Sequence, residues 1–151
     1  MKTLCKTLLI LSLTLGFMHS CDKDHSYVDD RTPEISVLAI AGNWQMTRWN
    51  GEELTGRYSY IVLDASERTF IQYHNFDSAY PRMSTGEFRL KYDNMEEVNI
   101  ISGFYDYASG YWNSSYIVTL DRETMTWTAC DDPTDIMVFE RCAEIPEEVI
   151  P

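Results

Sequence analysis

Basic residues are scarce in this chain: 12 Lys and Arg stand against 24 Asp and Glu in 151 residues, for a formal net charge of -12 at pH 7. That balance excludes nucleic-acid binding, which needs a basic surface to release phosphate counterions. Histidine is scarcer still, with only His19, His25 and His74. None of the three has a Cys-X-X-Cys, His-X-X-X-His or Glu-X-X-His neighbour, so no metal site is expected. His74, at the end of a strand-like run, reads as a partly exposed strand residue. No serine sits in a nucleophile elbow, and no His and acid pair can be placed beside one. The sequence therefore offers no catalytic residues and no motif that requires a cofactor. Asp131, Asp132 and Asp135 crowd one segment, but they lack the order and distal glutamate of an EF-hand and read as a solvated turn.

Long apolar runs are missing too, with one exception at the start. Lys2 and Lys6 precede the run from Leu8 to Phe17, which leads into Met18-His19-Ser20-Cys21. The run is about half of the ~20 apolar residues that a membrane-crossing helix needs, so it reads as the charged and hydrophobic parts of a signal peptide. A cysteine followed at once by hydrophilic residues resembles the lipobox of bacterial lipoproteins, although Met18 and His19 depart from its usual pattern. The resemblance implies processing before Cys21, a lipid on that cysteine, and a place in the cell envelope, at the outer membrane, on its periplasmic or its outer surface. The Asp22-Lys23-Asp24 that follows is similar to the acidic export signal of Bacteroides-type surface lipoproteins. Removing residues 1–20 takes away two lysines and no acid, so the charge of -12 becomes -14.

The remaining 131 residues suit one domain. Residues 21–36 carry few apolar groups and read as a lipidated acidic linker. Residues 37–143 form the folded unit. Residues 144–151, with two prolines and several acids, are a tail that cannot continue a central strand.

Within the folded unit no segment carries a helical stripe, although Ile35 to Asn43 would allow one helical turn. Runs rich in Tyr, Trp, Phe, Ile, Val and Thr alternate instead with turn clusters such as "NGEE", "DASE" and "DDPTD". The spacing predicts strands at about 43–49, 58–64, 68–74, 84–92, 96–101, 114–121, 124–130 and 136–142. Tight connections favour an all-β, up-and-down antiparallel barrel of about eight strands, with a two-sheet sandwich as the rival. In the last hairpin, pairing Trp127 with Phe139 and Cys130 with Ile136 puts Met125, Trp127, Ala129, Met137, Phe139 and Arg141 on one inward face. That register places Cys142 opposite residue 124, roughly 20 Å from Cys130 at ~3.3 Å per residue. A disulfide needs Cα atoms within about 7 Å, so the two are expected to stay unbonded.

Gly42-Asn43-Trp44 at the start of the first strand and Arg141 near the end of the last resemble the lipocalin pattern. The likeness extends through "GNWQMTRWNGEEL", "YIVLDASERTFIQY", "STGEFRLKYDN", "SYIVTLDRETMTWTA" and "IMVFERC", which are similar to segments of lipocalin-like, calycin-type domains in bacterial lipoproteins of the Bacteroides type. The resemblance implies that Arg141 stacks on Trp44 across the closed end of the barrel. It also implies a non-catalytic domain that takes a small apolar or aromatic ligand. The segment "GFYDYASGYWNSSY" supplies the candidate ligand residues, namely Phe104, Tyr105, Tyr107, Tyr111 and Trp112, as lining of the barrel mouth. If side chains fill the barrel instead, the domain reads as a protein-interaction module, either an envelope accessory or an enzyme inhibitor. Asp77-Ser78-Ala79 looks like a short O-glycosylation motif.

Overall fold

A computed structural model describes residues 32–107 and 109–151. Strand-forming residues dominate, and almost every element is extended. A single helical turn, α1 (Val37–Ile40), leads into β1 (Gly42–Trp49), β2 (Glu52–Glu53), β3 (Ser59–Asp64), β4 (Thr69–His74), β5 (Arg82–Asp93), β6 (Val98–Tyr105), β7 (Tyr116–Asp121), β8 (Thr124–Ala129) and β9 (Ile136–Arg141). Every pairing is antiparallel, and β1 pairs with both β3 and β9, so eight strands close into a barrel. The two-residue β2 pairs only with the last residues of β1. Closure leaves none of the eight barrel strands as a free edge.

Alternation along the strands fills the barrel. Trp44, Met46, Ile61, Leu63, Phe70, Phe88, Ile101, Val118, Met125, Trp127, Ala129 and Phe139 are all buried in one cluster. The β8–β9 hairpin keeps the inward face expected of it, but its register differs. Trp127 pairs with Met137 and Met125 with Phe139, a slip of two residues from the predicted pairing. A shift of two preserves which side chains point inward, whereas a shift of one would have reversed them. Cys130 and Cys142 are free thiols.

The chain enters the barrel earlier than its polar composition predicts. The side-chain amide of Asn99, fully buried in β6, donates to the Pro33 carbonyl at 2.9 Å and accepts from the Ile35 amide at 2.7 Å. Tyr92 donates its hydroxyl hydrogen to the Thr32 carbonyl at 3.0 Å. Residues 32–35, expected as linker, thus form part of the barrel base, and Ile35 packs against the core. The remainder of the predicted linker, with Cys21 and the whole signal peptide, lies outside the described residues.

At the other end of the sequence the tail folds back. A 3-10 turn over Glu147–Val149 places Val149 and Ile145 against Tyr60, Val62, Ile71 and Tyr73, which point outward from β3 and β4. That wall of the barrel is apolar on both faces and is covered on both. Prolines keep the tail out of the sheet, but not off it.

Candidate functional site

At the base, three elements converge on Arg141. Trp44 and Arg141 face one another in the β1–β9 pairing, and the guanidinium carbon lies 4.1 Å from the centroid of the Trp44 ring. Nη1 of Arg141 donates to the Ala41 carbonyl at 2.7 Å, Nη2 donates to Ala39 at 2.9 Å, and Nε meets Glu123 at 2.8 Å. The Trp44 indole donates to Ile40 at 2.8 Å. A helical turn ends with carbonyls that have no partner of their own, and here Arg141 and Trp44 satisfy three in succession. Arginine suits the task because its planar fork can stack on a ring while its donors reach outward in that plane. Gly42 sits at φ 113°, and a β-carbon there would come within 2.9 Å of Arg141 Nη1. Its lack of a side chain permits both the backbone conformation and the close approach.

The open end carries the aromatic segment, and the structure divides it. Trp112 turns inward and stacks on Trp127, with centroids 5.3 Å apart, and meets Phe70 edge-on at 5.1 Å. It lies directly over Gly103, where any β-carbon would run into the indole. Tyr105 also points inward, edge-on to Phe70 at 5.7 Å, and burial pushes its phenol pKa up. Tyr116 joins this stack, its pKa pushed up to about 12 by burial, with Asp135, Tyr105 and Asp131 adding to the rise. Phe104 and Tyr111 go the other way. They pack edge-on at 6.3 Å on the outer wall, with Tyr111 82% exposed. Tyr107 stands 97% exposed on a left-handed backbone at φ 60°. The five candidates therefore do not line one mouth: two fill the barrel, two build an outer surface and one stands in water.

Phe76, which the sequence did not single out, closes the rest of the opening together with His74 and Asp135. Phe76, from the β4–β5 loop, packs on Trp49 at 5.1 Å and stacks on His74 at 5.8 Å. The Trp49 indole donates to Asp135 at 2.7 Å. His74 lies 3.9 Å from the Asp77 carboxylate, too far for a hydrogen bond. Burial lowers its pKa against the upward pull of Asp77, and Arg82 lowers it further, so His74 is neutral at pH 7. The three aspartates of the last loop serve the fold. Asp131 accepts from Ser114, Asp132 from the amide and hydroxyl of Thr134, and Asp135 from Trp49. Among the described residues no group of His, Cys, Asp and Glu is arranged to hold a metal ion.

A tryptophan and an arginine meeting at the base of a closed eight-stranded meander is the arrangement that the sequence resemblance implied. A scan against protein families matches residues 40–127 to the lipocalin-like domain, more than half of the chain. The chain belongs to the lipocalin-like family. Lipocalin-like domains are a ligand-binding type of barrel suited to small apolar molecules, and are generally non-catalytic. Searches of curated proteins and of solved structures found no match. In this lipocalin-like barrel the sequence signals that a ring is needed beside Gly103, but not which ring supplies it. Gly103 is a small residue among large ones on an inward position of β6, and such a gap calls for a ring from elsewhere.

Proposed function

We propose that the protein is a non-catalytic lipoprotein of the bacterial cell envelope, held at the outer membrane by a lipid on Cys21, and that its lipocalin-like barrel binds through its outer surface. The observation that carries the second half is the filled interior. Trp112, Tyr116, Trp127 and Phe139 pack ring to ring between Trp44 at the base and Phe76 at the opening. Interiors packed in this way leave few voids larger than a water molecule, and the pockets among the described residues are lined mainly, though not wholly, by loop and outward-facing strand residues. This favours a module whose barrel is a scaffold over one whose barrel is a container.

The filled barrel makes a signed prediction about Trp112. A ring lining a ligand pocket would weaken binding of an apolar probe when removed. Because Trp112 instead plugs the barrel, Trp112→Ala opens a cavity among Phe70, Tyr116 and Trp127, and the neutral dye N-phenyl-1-naphthylamine gains a site it lacks in the parent protein. A fluorescence titration reads the change. Loss of a dye site on substitution would return the ligand to the barrel.

The anchor is tested separately. The hydrophobic leader and Met18-His19-Ser20-Cys21 motivate it, and Cys21→Ala is expected to leave a soluble or unprocessed protein in cell fractions while the barrel still folds. A cleaved Cys21→Ala protein that stays with the membrane would show that something other than this lipid holds it there.

A further inference from the structure

The outer wall beside the aromatic loop holds a groove that the barrel itself does not require. Its volume is about 420 Å³, and its lining is mainly apolar: Phe104, Tyr105 and Tyr111 with Arg89, Ser102 and the two glycines Gly103 and Gly110. Arg89 and Ser102 face each other across the β5–β6 pairing, so the guanidinium and the hydroxyl share one register position. The Tyr111 ring is brought there by a bridge to Phe104 and by the Gly110 carbonyl accepting from the Tyr105 amide at 2.7 Å. Gly110, at φ 93°, lets the chain turn back onto the strand.

Three features of this groove specify a ligand. The first is Arg89, its one charged lining group, which has no ion-pair or hydrogen-bond partner among the described residues. The second is an edge-on pair of rings with an open flank, which a third ring extends in the geometry aromatic clusters prefer. The third is the size, within the ~300–1,000 Å³ usual for small-molecule sites. Neutral sugars need several polar groups around each ring, and this lining offers too few. We infer that this groove binds a planar aromatic monoanion, with Arg89 taking its carboxylate or sulfonate and the Phe104–Tyr111 pair taking its ring. The chain's overall negative charge opposes an anion at long range, but at physiological ionic strength fields fade over about 8 Å. At contact the guanidinium decides, because its fork matches a carboxylate in a bidentate pair.

The inference rests on the reading that the protein binds through its outer surface, and the test separates the two. The probes are 2-naphthoate and its neutral amide, 2-naphthamide, titrated calorimetrically into the full chain with a protein-free blank. Naphthoate is expected to bind roughly fivefold or more tightly than the amide, the size of a partly exposed charged hydrogen bond. Arg89→Gln removes that preference and leaves amide binding unchanged. Tyr111→Ala weakens both probes by a similar factor. Both side chains are exposed, so neither change threatens the barrel. Equal affinity for the two probes, or a naphthoate preference that survives Arg89→Gln, overturns the inference and leaves outer-surface binding standing. Binding that weakens on Trp112→Ala but not on Tyr111→Ala places the ligand inside the barrel and overturns both.

Discussion

Trp44→Ala is expected to lower the free energy of unfolding by about 3–5 kcal/mol, the range for a large aromatic removed from a core. Trp44 is fully buried, supports the Arg141 guanidinium on its face and caps Ile40 with its indole, so its loss opens a cavity and strands two polar groups at once. Arg141→Ala costs about 1–3 kcal/mol, chiefly because the Ala39 and Ala41 carbonyls lose their donors. The double variant costs less than the sum, since each single change already destroys the stack. Arg141→Lys recovers only part of the loss, because an ammonium cannot stack on the ring and reach both carbonyls. Urea unfolding of the parent and the four variants gives the comparison. Strict additivity would mean that the contact contributes nothing beyond its separate parts.

The second large effect is at Gly86, in the middle of β5. A β-carbon there would collide with the backbone carbonyl oxygen of Phe104 and come within 2.8 Å of the Phe70 ring. A flexible side chain could swing aside, but a strand carbonyl held in a ladder cannot. Gly86→Ala is therefore expected to cost about 3 kcal/mol, the upper end of the usual overpacking penalty. Gly51→Asn supplies the control. Gly51 has a positive φ, 83°, which Gly86 lacks, yet nothing lies within 4 Å of its missing β-carbon. Asparagine tolerates that backbone region, so the control loses about 1 kcal/mol or less. Equal losses at the two positions would show that the collision at Gly86 is relieved at little cost, since Gly86 has no left-handed backbone to strain.

What the sequence made legible was whatever depends on alternation. The strands fall within a few residues of their predicted positions, and the inward face of the last hairpin is right although its register is not, because side-chain parity survives a slip of two. The Trp44–Arg141 contact was implied by the lipocalin resemblance, and parity and barrel closure support it. Contacts between a strand and an irregular segment were not legible. Asn99 is a polar residue at an inward position of an apolar strand, which signals a buried partner, but alternation cannot say that the partner is the backbone around Pro33. The outer residues of β3 and β4, Tyr60, Val62, Ile71 and Tyr73, are apolar where a solvated wall would be polar. That pattern demands a cover, yet leaves open that the cover is Val149. The aromatic segment misled for a related reason. Composition counted five rings in one stretch, and only the three-dimensional path of the chain shows that Trp112 falls inward over Gly103 while Tyr111 bridges outward to Phe104.

The seam between β1 and β9 has a topological consequence. The Cys142 amide donates to the Asn43 carbonyl at 3.0 Å, and the Asn43 side chain reaches the Ala143 carbonyl at 3.1 Å. The first and last residues of the barrel are therefore touching neighbours. The strands form a cycle in which each is joined to the next by a loop except across this one seam, where hydrogen bonds stand in for a peptide link. A short linker across the seam, with a cut at an exposed loop such as Gly110, would permute the order of the strands without altering a single pairing.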